Sequence, residues 1–163
     1  MTRTIRGLIE VSASETWMDR RRVVAGYLAL SAVGHATWEI LQLPLYGLWS
    51  NGTAGEIAFA VVHCTAGDVL IALSVLTVAL VVVRARSWPA AHYAIVATWA
   101  IALGFAYTGY SEWHNVYVRQ SWSYAASMPT ITFGGYAIGL SPLMQWIVVP
   151  PLVFWAVARW RSR

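Results

Sequence analysis

The chain has 163 residues, 58% of them hydrophobic and 11% charged. Soluble domains carry about 25% charged residues, so there is too little charge here to coat a water-facing surface, and both a soluble globule and a disordered chain are excluded. The formal net charge is +4, and all eleven basic residues are arginines.

The first 22 residues are read as a cytoplasmic segment. Within them, Thr4–Trp17 places Ile5, Leu8, Ile9 and Ser12 on one helical face, which predicts a short helix lying on the membrane surface; a flexible tail is the plainer alternative. The arginine triplet Arg20-Arg21-Arg22 then introduces residues 23–163, read as an all-α domain. Four apolar stretches there reach the roughly 20 residues that a membrane-spanning helix needs: Val23–Trp49, Glu56–Val83, Tyr93–Val118 and Pro142–Ala158. The first is too long for the apolar part of a signal peptide. The expectation is a polytopic membrane protein, a four-helix transmembrane bundle.

The arginines orient it. Ten lie before span one, between spans two and three, or after span four, and Arg119 alone falls on the other side. That bias predicts both termini in the cytoplasm, in a bacterial inner membrane, and accounts for the basic charge without nucleic acid. Trp49, Trp88, Trp122, Trp155 and Trp160 lie near the predicted boundaries, as an aromatic belt should. The linker Gln120–Ser141, with Gly134-Gly135, is long for a connector and reads as either a lid or a plain loop. The single cysteine, Cys64, permits no intrachain disulfide.

Ionisable side chains inside a span cost about 2.5–3.5 kcal/mol each on insertion scales and usually face the bundle interior. In span one, Ser31, His35, Glu39, Gln42 and Tyr46 form one helical stripe, which Pro44 ends. In span two, Glu56, His63, Gly67 and Ser74 form another, with Gly67 expected to allow close approach. Asp68 lies roughly 140° around that helix from His63, beside Cys64 and Thr65, either bonded to Thr65 or orienting His63. Span three carries Thr108, Glu112, Asn115 and Arg119 in register, with a Glu112–Arg119 ion pair as the bland alternative. Span four offers Gln145 and a Pro150-Pro151 pair expected to bend it.

At 1.5 Å per residue, His35 and Glu39 stand about 18 and 24 Å from the cytoplasmic end of span one. His63, roughly 10 Å below the outer edge of span two, comes level with them. A cluster of His35, Glu39 and His63 follows, roofed by Glu112 and with Asp68 beneath. His35, Glu39, His63, Asp68 and Glu112 are the candidate catalytic residues. Trp38, Gln42, Tyr46, Trp113 and Asn115 are the candidate walls of a substrate pocket, with Trp99 as a further aromatic.

Two chemistries suit such a cluster. His35, Glu39 and His63 match the donor preferences of a divalent metal, Zn, Fe or Mn, although the chain has no HExxH. A His/carboxyl pair in an apolar pocket also serves proton transfer without metal, on a hydrophobic small molecule dissolved in the bilayer. The His-x3-Glu of His35 and Glu39 in a Trp-rich span, with Glu112 as a further intramembrane carboxyl, resembles the emopamil-binding family of sterol isomerases. That resemblance covers these three residues, and it implies isomerisation of a membrane-soluble substrate. The leading expectation is a small membrane enzyme acting on a hydrophobic or lipid-like molecule. The rivals are a transporter or metal-handling protein using the same cluster, and an accessory subunit in which the cluster locks helices. Four short helices enclose little volume, which favours the accessory reading and leaves a homo-oligomer or a larger membrane complex open as the setting.

Overall fold

The structure, a computed structural model, describes the backbone of residues 2–161 and the side chains of residues 19–160. It is mostly helical. Helix α1 spans Thr2–Gln42, α2 Leu48–Asn51, α3 Ala54–Val82, α4 Tyr93–Trp113 and α5 Leu140–Arg161, with a β-hairpin, β1 Thr130–Phe133 and β2 Tyr136–Gly139, before α5. Among the described residues, three helical segments are long and apolar enough to cross a membrane: Ala54–Val82, Tyr93–Val118 and Leu140–Trp160. These mark the chain as a membrane protein. The apolar half of α1 falls outside that set, because His35, Glu39 and Gln42 lower its hydropathy.

The hairpin corrects the all-α expectation. Thr130, Ile131, Thr132 and Phe133 pair antiparallel with Gly139, Ile138, Ala137 and Tyr136. The turn residues Gly134 and Gly135 both adopt positive φ, which glycine reaches without the steric cost other residues incur. At the other end of the chain, the backbone of α1 runs unbroken through Arg20–Arg22. The side chains proposed for its membrane-surface face lie outside the described residues.

Local sequence explains the helix ends. Helix α1 stops at Gln42, not at Trp49, because Pro44 has no amide hydrogen to continue the ladder; a 3-10 turn, Leu43–Leu45, follows. Thr53-Ala54-Gly55-Glu56 is a capping box. The Thr53 side chain accepts from the Glu56 amide, and Glu56 accepts from the Thr53 amide at 2.8 Å. After α4 the chain widens into a π-helical turn, His114–Val118, a distortion frequent at functional sites. Helix α5 runs on through Pro150 and Pro151.

Helix α1 packs against α3 and α5, and α4 packs against the same two helices. The apolar core occupies one half of this arrangement, with Leu76, Val96, Trp146, Val153 and Phe154 at its centre. Small residues set the spacing. A Cβ on Gly104 would collide with the indole ring of Trp146, and one on Gly34 would meet Val149 Cγ1 at 2.7 Å, so both glycines allow close helix approach. Trp88, expected in an aromatic belt, is 3% exposed and stacks on Tyr93 instead.

Candidate functional site: a carboxyl-lined cavity

The buried residues of α3 all lie from Ala72 onward: Ala72, Val75, Leu76 and Ala79. The preceding stretch, 54–71, contains none. This asymmetry leaves a cavity of about 1290 Å³ where the other half of the helices would otherwise meet. Glu39, Asp68 and Glu112 line it, together with Gln145 of α5 and Arg119 at the end of the π-helical turn.

At its floor a polar network joins three helices. Gln145, 2% exposed, donates from Nε2 to Asp68 Oδ2 at 2.8 Å and lies 2.8 Å from His35 Nδ1. His35 Nδ1 is also 3.6 Å from Asp68 Oδ2. An amide has two hydrogens. With one on Asp68 and the other on Nδ1, the histidine carries its own hydrogen on Nε2, which is buried and unpartnered. Glu39 lines the same cavity and accepts from Gln42 Nε2 at 2.8 Å. Gln42 in turn accepts from Ser141 at 2.9 Å.

The linker forms the roof. Gly47 donates to Ser123 O and Ala125 donates to Leu45 O, both at 2.9 Å, and Tyr46 and Tyr124 form an antiparallel bridge. Residues 120–125 are therefore strapped across the end of α1. From this strap the Tyr124 hydroxyl donates to Glu112 Oε2 at 2.6 Å and accepts from the Gly139 amide at 2.9 Å. Burial and the neighbouring Glu112 push the Tyr124 phenol above its ordinary range, so it stays a donor.

The sequence-predicted residues divide accordingly. Glu39, His63, Asp68, Glu112, Gln42, Tyr46 and Asn115 line the cavity. His35 lies just behind its wall, bonded to Gln145. His63 does not join His35 and Glu39: it is exposed on α3 and stacked on Phe59 at 5.4 Å, and Asp68 takes the place expected for it. Both residues line the cavity, but only Asp68 is bonded to Gln145. The proposed His35, Glu39 and His63 metal donors therefore do not converge, and among the described residues no group of three His, Cys, Asp or Glu could hold a metal ion.

Other expectations are also revised. Trp38 packs against the apolar core, and Trp113 stacks with Tyr110 and Tyr136, so neither tryptophan walls the cavity. Glu112 is bonded to Tyr124, not to Arg119. Asp68 is bonded to Gln145, while the Thr65 hydroxyl is buried and unpartnered. Gly67 has open space where a Cβ would be; it widens the cavity instead of admitting a helix.

Gln145, Ser141 and Tyr124 belong to the site and were absent from the candidate set. Gln145 carried a signal, as the one polar residue in span four comparable to those of spans one to three. Tyr124, in an irregular linker, carried none. No protein family, curated protein or solved structure matches the chain.

Proposed function

We propose that this protein is a small integral membrane enzyme that transfers protons on a hydrophobic or lipid-like molecule, with Glu39 and Asp68 as its acid/base pair. The observation that carries this reading is that Glu39 of α1 and Asp68 of α3 line one cavity large enough for a substrate, 300–1,000 Å³ being usual for small-molecule sites. A carboxyl pair holding one proton offers an acid and a base side by side. The protonated member adds its proton to one carbon of an alkene and the ionised member removes a proton from the allylic position. The double bond shifts, and the pair ends with one proton, as it began. His35, held by Gln145, positions Asp68, and Glu112 faces the same space from α4.

In this reading α1 is the fourth span of a transmembrane bundle, with both ends on the cytoplasmic side of a bacterial inner membrane, as the arginine bias favours. The strapped roof then faces outward. Transport is less well supported, because the apolar core around Leu76 and Trp146 closes the bundle beyond Asp68. A purely helix-locking role does not account for the empty volume beside the pair.

The test is deuterium wash-in. Purified protein in vesicles of bacterial lipid extract is incubated in D2O, and the lipids are followed by mass spectrometry. Wild type is expected to place deuterium in a membrane-soluble species. Glu39→Gln and Asp68→Asn should slow this by about 10²–10⁴-fold, the usual contribution of a positioned acid or base. No incorporation by wild type above the Glu39→Gln background would refute the assignment.

A further inference from the structure

A second, apolar cavity of about 320 Å³ lies between α3 and α4, lined by Leu70, Ile71, Ser74, Val75, Val78, Leu103 and Tyr107. It shares Ile71 and Tyr107 with the carboxyl-lined cavity, so the two lie side by side between α3 and α4. Leu70, Ser74 and Val78 recur every four residues, which makes the second cavity a groove along α3, about 12 Å long at 1.5 Å per residue. Ser74, the one hydroxyl there besides Tyr107, already donates to Leu70 O at 2.7 Å and so offers the groove no free donor. The groove is a slot for an alkyl chain.

Depth and charge define the other end of the ligand. Asp68 is the middle residue of the 29-residue α3, so the acid/base pair sits near mid-helix and the groove runs on from there, away from the roof. A charged head group at that depth is strongly disfavoured. The cavity is also lined by four acidic residues, Glu39, Glu56, Asp68 and Glu112, against Arg119, which opposes an anionic head. A carboxyl pair with one proton, which the acid/base reading assigns to Glu39 and Asp68, is both a donor and an acceptor, as a hydroxyl or carbonyl end needs.

We propose that the substrate is a single-chain amphiphile with an uncharged hydroxyl or carbonyl end, bound with its end at Glu39 and Asp68 and its chain in the α3–α4 groove. This rests on the acid/base reading of the cavity. The experiment uses the full chain in phosphatidylcholine nanodiscs and a dodecanol probe carrying a diazirine near its methyl end. After photolysis, crosslinks are mapped by mass spectrometry. The expected result is labelling confined to residues 70–78 of α3 and 103–107 of α4. Filling the groove with Ser74→Trp, at an exposed position, should remove it, and Leu70→Trp serves as a second plug. The same chain ending in a carboxylate or an ammonium should label on the order of a hundredfold less, the penalty for a buried charge.

Equal labelling by phosphatidylcholine bearing the same diazirine would overturn the proposal, the groove then holding bulk lipid. Equal labelling by either charged probe would overturn the assignment of the uncharged end. Groove-specific labelling by the alcohol without deuterium wash-in would uphold the ligand class and sink the enzyme.

Discussion

The Tyr124 hydroxyl joins two parts of the chain that the sequence separates: it donates to Glu112 Oε2 at 2.6 Å and accepts from the Gly139 amide at 2.9 Å. One phenol thus ties the roof strap to α4 and to the hairpin that leads into α5. Glu112 is buried, and a buried carboxyl that loses its donor is costly.

Tyr124→Phe keeps the ring and deletes the latch. It is expected to lower stability by about 1–3 kcal/mol, the range for leaving a buried polar group unsatisfied. Hydrogen exchange should quicken at Gly139 and across 130–139. Thermal unfolding in detergent with peptide-resolved exchange checks both; an unchanged Gly139 amide would show that the hydroxyl is dispensable.

The same residue sets an alkaline dependence. Its phenol is held above the ordinary value of about 10, so as pH rises past that value the unfolded chain releases the proton first. Folded protein then holds more protons than unfolded protein, and stability falls with rising pH. The wild-type melting temperature should therefore drop more steeply above pH 10 than that of Tyr124→Phe. Parallel curves for the two proteins would contradict the assignment.

His63 and Asp68 should behave in opposite ways. His63→Ala removes an exposed ring stacked on Phe59 and is expected to leave both stability and deuterium wash-in close to wild type. Asp68→Asn removes the carboxyl bonded to Gln145 and beside His35 and should slow wash-in by about 10²–10⁴-fold. If His63→Ala proved as damaging as Asp68→Asn, the polar network around Asp68 and Gln145 would not be the operative site.

Gln145→Leu takes away the amide shared by His35 and Asp68. Two buried groups lose a partner at once, so the cost should be at least that of one unsatisfied group, about 1–3 kcal/mol. Combined with Asp68→Asn, the loss should be smaller than the sum of the two single losses, because residues in one network couple. A strictly additive double mutant, measured by denaturant or thermal unfolding, would show that the groups act independently.

Gly104→Ala places a methyl group against the Trp146 indole. Overpacking a filled core costs about 1–3 kcal/mol, and Trp146 also packs beside His35 at 5.2 Å. A lower melting temperature restored in part by Trp146→Phe is expected. No change in melting temperature would mean that the helices can part without cost.

Much of the fold was legible in the chain itself. Low charge and long apolar runs define membrane helices, Pro44 ends the first helix, and Thr53 with Glu56 starts the next. The polar stripe Glu39–Gln42–Tyr46 and the stripe Thr108–Glu112–Asn115–Arg119 were legible for the same reason: helical periodicity puts residues on one face regardless of what that face meets. The β-hairpin was not, since a short strand pair between helices leaves no periodic signal long enough to read.

Composition, spacing and local caps thus determined a membrane protein with carboxyls turned inward from several helices, because these depend on neighbours in sequence. Which polar groups touch was decided by the tertiary structure alone. Periodicity gives the angle of a side chain about its own helix but not that helix's rotation toward its partners, and α3 is turned so that Asp68, not His63, reaches Gln145. The rotation is set by where α3 is closely packed, at Ala72, Leu76 and Ala79, against side chains distant in the chain.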